Sequence, residues 1–535
     1  MINKTFALFV IVLSGLCVWW WSRSAPWDKA QRALNRGEPG KAVEVLVQAL
    51  ESKSWSPEKE EAMRELLARG YWLNGAIESA DQALRDLREK FPGNFQAAVG
   101  LGTLNIIQDR GAFGVEYLEE AKRLDPKDIR PYLILGRYFS DIRDYRKAEL
   151  NLANGFVRFP NDERLILLDG DLLFNQGRYQ EALAKYQPLI ASSPVDRDIR
   201  IKIALSFLYS GELEKALEIF TALRPASGTD ENIESYLAKI LFLQGHRQES
   251  NGIPERLYRE DNRRIGAGLD WAVSLALRGQ TEEAEKLLTT IGESLLPLGG
   301  GGITPIVGVS FNDLERIQSY RALAKSQNIL YLRSRYQLLA IAGRYAEAQQ
   351  FLERAFNIDS GDFFTMFEMA ELARLKNDPE KRLLWADMAV EKYKEHPAAL
   401  LLRAKILIDL RRTPDAVIDA KQVSDSYPKL SYAQALLSKA WMIQKKPSGA
   451  LSAAEKAVQL NPGEPEAQLA LAMAQASLGH DAEADLAFRR ALDIDPRFAE
   501  ARHEWGLWLK SKGRLKEAAT QFKEAARLEP LVYKH

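Results

Sequence analysis

The chain has one cysteine, Cys17, and five histidines in 535 residues. A single thiol excludes an intrachain disulfide framework and any two-cysteine zinc knuckle. The histidines (His246, His396, His480, His503 and His535) show no HExxH pair and no zinc-type spacing. Charge of one sign is missing too: 73 basic residues face 73 acidic ones, for a formal net charge of zero. That balance supplies no bulk drive toward nucleic acid or an anionic surface. Beyond the amino terminus there is no long hydrophobic run, which excludes a polytopic membrane protein. No pair of catalytic carboxylates stands out. The run Gly299–Gly302 is not followed by the Lys-Ser/Thr of a phosphate-binding loop. Gly308-Val309-Ser310 lacks the closing glycine of a nucleophile elbow, because Asn312 stands there. The residues therefore point to no enzyme, no cofactor and no metal. The remaining composition is ordinary for a folded chain, 46% hydrophobic and 27% charged, which excludes wholesale disorder.

Phe6 to Trp21 is an uncharged apolar run. At about 1.5 Å per residue it reaches about 24 Å, short of a hydrocarbon core of about 30 Å. Trp19, Trp20 and Trp21 close it with indoles that suit a membrane–water interface. Ser22-Arg23-Ser24 is a poor cleavage site, and Leu16 before Cys17 does not fit a lipoprotein signal. Residues 1–22 are therefore expected to be an uncleaved signal anchor, a single transmembrane helix, with a cleaved signal peptide as the rival. Lys4 favours a cytoplasmic amino terminus, whereas Arg23, Lys29, Arg32 and Arg36 weigh against export of the chain on their carboxyl side. The absence of cysteine after Cys17 favours export. The expectation is an inner-membrane, single-pass protein with its bulk on the periplasmic side, and the cytoplasmic side as the alternative.

The rest of the chain has one period. Prolines fall 34 residues apart at Pro92, Pro126, Pro160 and Pro194, and again at Pro428, Pro462, Pro496 and Pro530. Gly177, Gly211, Gly245 and Gly279 keep the same step, as do Ala148, Ala182 and Ala216, and Ala416, Ala450, Ala484 and Ala518. Between these markers each unit reads as two amphipathic helices: Ile166, Gly170 and Leu173 on one, Ala182, Tyr186 and Leu189 on the other, with Gly177 as the turn. Neither helix buries its apolar face alone, so neighbouring units must stack.

Trp505, Gly506, Ala518, Phe522, Ala525 and Pro530 carry a family resemblance, and so do Tyr132, Leu135, Gly136, Phe139, Ala148, Leu152, Gly155 and Pro160. The chain resembles the tetratricopeptide repeat family. The resemblance implies an all-α fold, an α-α superhelix of about fourteen helix-turn-helix repeats, and a role in binding other proteins. In the consensus frame, residues 23–298 form a first array of about eight repeats, one of them irregular near 245–264. Residues 299–328 form a glycine-rich insert with a linking helix from Phe311 to Asn328, and 329–532 form a second array of about six repeats. In the irregular unit Ser250 replaces the usual alanine, and Pro254 is expected to interrupt the second helix. Arg256, Arg259, Arg263 and Arg264 come after it among acidic residues, as a solvated helix end or as a contact for an anion or acidic partner.

In the family, positions 2, 5, 9, 12 and 13 of each first helix tend to face the concave surface. Here several are apolar: Leu167, Phe174, Ile201, Leu208, Tyr209, Phe242, Leu243, Leu269 and Phe367 among them. They are expected either to line a groove for an apolar segment of a protein partner or to pack between helices. The whole is similar to envelope repeat proteins of bacterial polysaccharide export, envelope assembly and secretion. It implies a membrane-anchored interaction scaffold whose partners are membrane or envelope proteins. The rival is a cytoplasm-facing adaptor or regulatory subunit of a membrane enzyme such as a glycosyltransferase.

Overall fold

In the computed structural model, the residues described are 26–52, 54–192, 196–225, 228–295 and 314–533, with backbone alone for 191–192 and 314–324. They form twenty-eight α-helices in fourteen consecutive pairs, and no strand occurs among them. No helix of the described residues is long and apolar enough to cross a membrane. The expected anchor, residues 1–22, and the glycine run 299–302 lie outside the described residues.

One pair shows why this sequence folds as it does. Asp162 caps the helix Glu163–Asn175, its carboxylate accepting from the Arg164 amide at 3.0 Å. Gly170 faces the second helix, Tyr179–Ser192, so closely that a Cβ there would lie 2.5 Å from the Tyr186 ring. Tyr186 is fully buried in that space and donates its hydroxyl to Asp171 at 2.8 Å. The pairing is thus a small residue against a large one, as close packing requires. The same cap recurs in register: Asn94, Asp196, Asp230, Asp362 and His396 each accept from a first-turn amide. Such a cap contributes about 1 kcal/mol to its helix.

The turn inside each pair needs a left-handed residue. Glycine supplies it at Gly177 (φ 80°), Gly211 (86°) and Gly245 (86°), but Asp109, Arg143, Asn377, Arg411 and Lys445 do so with side chains at φ 56–61°. A side chain in this region costs roughly 1 kcal/mol. Lys445 is exposed and its side chain makes no hydrogen bond or ion pair among the described residues. Lys445→Gly is therefore expected to stabilise the chain by about 1 kcal/mol, read as a raised urea midpoint.

Two local expectations are corrected. Pro254 does not interrupt its helix, which runs unbroken over Arg247–Glu260. Proline's φ is already helical, so its cost is the missing amide donor, and Leu257, fully buried one turn on, keeps the helix docked. The linking helix is not separate either: a single 28-residue helix, Leu314–Ile341, includes the first helix of the next pair.

The chain divides into two compact units. One comprises Met1–Asp141, Leu150–Pro160 and Pro297–Leu323; the other comprises Ile142–Glu149, Asn161–Leu296 and Ala324–His535. In the first, Leu46, Trp72, Leu84 and Leu101 share one core. In the second, the stack continues from before the insert to after it: Leu338 joins Leu269, Leu288 and Ile291 in one core, and Arg335 meets Glu285 at 2.7 Å.

The second unit also folds back on itself along a seam. Arg143 makes two hydrogen bonds to Asp359, at 3.1 and 3.2 Å. Tyr179 and His396 are hydrogen-bonded at 3.0 Å, and the Tyr427 hydroxyl donates to the Gly177 carbonyl. Asn461 donates to the Leu243 carbonyl at 2.8 Å, and Arg247 lies 3.4 Å from Asp495. Gly463 allows the closest approach, since a Cβ there would collide with the Gln244 carbonyl oxygen. These partners stand 216 to 250 residues apart. At each rung the turn inside an early pair meets the turn between two later ones.

Candidate functional site

In the second unit, four consecutive first helices leave large apolar side chains in water. The helix Glu231–Leu243 exposes Phe242 (41%) and Ile265–Leu277 exposes Leu277 (44%). Leu314–Ile341 exposes Leu330 (39%), and Phe363–Leu375 exposes Phe364 (47%) and Phe367 (39%). On Phe363–Leu375 the exposed Phe364 and Phe367 lie one turn apart on one face. On Ile265–Leu277 Asp270 and Leu277 are exposed and Gly266 and Val273 half-buried, while Ala267, Leu269, Ala272 and Leu275 are buried. Helical spacing thus sends one face to the core and leaves the other open. Phe364 and Phe367, neighbours on one helix, make the densest pair of such exposed side chains, and adjacent exposed apolar groups mark an interaction surface better than scattered ones do.

Charged groups are interleaved with this face and mostly paired. Arg333 holds Glu368 with hydrogen bonds of 2.8 and 3.1 Å, and its guanidinium lies 5.0 Å from the Phe364 ring centre. Lys239 bonds the Tyr209 hydroxyl at 3.3 Å and lies over that ring. Arg247 covers Phe242 at 4.4 Å. Asp270 makes no ion pair among the described residues; desolvation, with Glu231 adding to it, pushes its carboxyl up to about 6.

Further along, the first helices pair their charges with one another. Lys439 on Ser431–Ile443 reaches Glu500 on Ala499–Ser511 at 2.7 Å, and Lys405 on Pro397–Asp409 lies 4.0 Å from Glu466 on Pro465–Leu478. Arg374 grips Glu529 at 2.6 and 3.0 Å. The open apolar face is thus bounded by a stretch that satisfies itself.

The protein-family model for the tetratricopeptide repeat matches residues 167–231 and 444–499. The chain carries tetratricopeptide repeats. Among solved structures it is similar to the hetero-tetramer Cut9–Hcn1 of the APC/C, at 13% identity and a TM-score of 0.41, with 90% of this chain and 98% of that one covered. It is also similar to a tetratricopeptide repeat protein of Parabacteroides merdae, at 15% identity and a TM-score of 0.38, with 56% and 97% covered. No curated protein sequence matches it.

Within these tetratricopeptide repeats the groove positions separate into three groups. Leu208 and Leu269 are 3% and 2% exposed, so they belong to the repeat core and offer a partner nothing. Leu167, Ile201 and Leu243 are half-buried and pack on neighbouring cores. Phe174 and Tyr209 join Tyr179 in an aromatic cluster at the seam, with ring centres 5.2 to 5.9 Å apart. Phe242 and Phe367 alone of the named residues reach the open face. The residues that sequence reading missed are Leu277, Leu330, Phe364 and Asp270. Repeat position alone would have flagged Leu277, Leu330 and Phe364, at positions 13, 2 and 2.

The four arginines of the irregular repeat are all engaged. Arg256 meets Glu234 at 2.8 Å and Arg259 meets Glu255 at 2.9 Å. Arg263 meets Asp261 at 2.9 Å and Arg264 meets Glu260 at 3.0 Å. An incoming anion would have to displace a carboxylate from each. No group of three or more histidine, cysteine, aspartate or glutamate side chains that could hold a metal occurs among the described residues.

Proposed function

We propose that this chain is a protein-binding scaffold that receives a segment of a partner on the open face of the second unit. One observation carries the reading: five large apolar side chains are left in water on four consecutive repeat helices whose other faces are buried. Fully burying a large apolar side chain yields about 1.5–3 kcal/mol, and these are 39–47% exposed, so each contributes roughly 1 kcal/mol to a partner that covers it. Phe364→Ser with Phe367→Ser is expected to abolish crosslinked capture of partners from membranes while leaving the thermal melt unchanged. A melt lowered by several degrees would instead place these rings in the fold.

The scaffold is held at a membrane by the apolar run Phe6–Trp21, and its lack of charge and its terminal indoles support that reading. We place it in a bacterial inner membrane with its repeats in the periplasm, serving polysaccharide export, envelope assembly or secretion. Its partners there are membrane or envelope proteins. Arg23, Lys29, Arg32 and Arg36 favour the opposite side, where it would act as an adaptor or regulatory subunit of a membrane enzyme. Protease added to intact spheroplasts separates the two: digestion of the repeats supports the periplasmic arrangement, and protection overturns it.

A further inference from the structure

On the helix Phe363–Leu375, Phe364, Phe367, Glu371 and Arg374 recur at steps of three and four residues, and every residue between them is buried. Two exposed rings and one guanidinium therefore share a single open stripe, with Arg374 about 10 Å beyond Phe367 along the axis. That end of the stripe is already taken. Glu529, which follows the helix Leu515–Leu528, accepts two hydrogen bonds from Arg374, at 2.6 and 3.0 Å, from 155 residues away in sequence. Four residues on, Tyr533 stacks on His503 with ring centres 4.8 Å apart. The seam joins turn to turn, whereas this contact lays a carboxylate on the open face of a first helix.

A guanidinium set in an apolar stripe asks for a carboxylate from whatever covers it, because two parallel hydrogen bonds satisfy it and an apolar cover would strand the charge. Glu529 supplies that group from within the chain. Its hold is exchangeable: the Arg374 and Glu529 side chains are 22% and 18% exposed, and Glu371, bonded to Arg374 at 2.8 Å, stays to neutralise it when Glu529 leaves. Resting on the binding face described above, we propose that Glu529 is the chain's own occupant of a carboxylate subsite. A partner segment takes its place by laying apolar side chains on Phe364 and Phe367 and an aspartate or glutamate on Arg374. The spans from Phe367 and Phe364 to Arg374, about 10 and 15 Å, correspond to about three to five residues of extended chain. Because Glu529 is tethered, it competes at a high effective concentration and lowers the affinity of the free chain for such a partner.

The test is selection of a random twelve-residue display library on the full-length chain in detergent, with Glu529→Gln beside the wild type. Glu529→Gln is expected to enrich peptides that carry an acidic residue about three to five residues from apolar ones. Such a peptide should bind Glu529→Gln about tenfold more tightly than the wild type. Replacing its acid by the amide, or adding Arg374→Gln to the variant, should remove that gain. A stabilising strap with no place in binding would give no gain, and Glu529→Gln would then only lower the urea midpoint. Equal affinity for the two chains, or enriched peptides without an acidic residue, would overturn the proposal. Phe364→Ser with Phe367→Ser distinguishes the two levels. If it abolishes binding of enriched peptides that lack an acid, only the carboxylate subsite fails. If it changes nothing, or if neither chain enriches any peptide, the binding face fails with it.

Discussion

Replacing Lys439 with methionine is expected to destabilise the second unit by about 3 kcal/mol, the low end of what breaking a buried ion pair costs. Lys439 is 4% exposed and its ammonium meets Glu500 at 2.7 Å, across first helices two repeats apart. Burial would raise the Glu500 carboxyl, yet Lys439, Lys405 and Arg374 together hold it down at about 2. The substitution leaves that carboxylate with weaker support in a poor solvent for it. Lys405 and Arg374 remain, which is why the low end applies. Lys439→Met combined with Glu500→Leu should recover most of the loss, because two apolar groups replace two charges that no longer need solvation. Urea unfolding of the single and double variants measures both. A double variant as unstable as the single one would show that Lys439 acts through packing rather than charge.

The second large effect comes with acid. His396 caps the helix Pro397–Asp409 through Nδ1, which accepts from the Ala398 amide at 3.2 Å. Nε2 therefore carries the proton and donates it to the Tyr179 hydroxyl at 3.0 Å across the seam. Desolvation pushes this imidazole down to about 4 from an ordinary value of 6.5. As pH falls, the unfolded chain takes the proton first. The stability tied to neutral His396 is thus complete above about 6.5, declines from there, and is gone below about 4. The gap corresponds to about 3 kcal/mol. Protonation would also turn Nδ1 into a donor facing the positive end of a helix. His396→Asn keeps a cap and removes the titration. Between pH 7.5 and 5 the wild type should lose stability that the variant does not. Hydrogen exchange of helix Pro397–Asp409 localises the effect, since long repeat arrays do not unfold as one two-state unit. Parallel pH profiles for the two chains would remove His396 from the seam's stability.

The proline, glycine and alanine periods were legible because they act within one repeat. Gly170 against Tyr186, Ala182 against its neighbours and left-handed Gly177 are local solutions to close packing and a tight turn. Pro254 misled for the same reason in reverse: a rule about isolated helices was outweighed by the docking of Leu257. At the binding face, Phe242 and Phe367 could be picked from repeat position, but Leu208 and Leu269 share such positions and are core. Whether such a position is open depends on how far the next repeat rotates over it. The arginines after Pro254 looked like a free cluster in sequence and proved to be engaged by carboxylates, because each has an acid two to four residues away and Arg256 meets Glu234 on the preceding helix as well.

By itself the sequence determined the helix pairs and their turns, since each depends on contacts within about 34 residues that recur from repeat to repeat. Only the tertiary structure decided which first-helix face stays open, which carboxylates Lys439 and Arg333 neutralise, and that Tyr179 meets His396 and Tyr427. Those contacts arise from a small rotation added at each of several repeats. No single residue sets that sum, so partners more than 200 residues apart are brought together by accumulated geometry rather than by a motif.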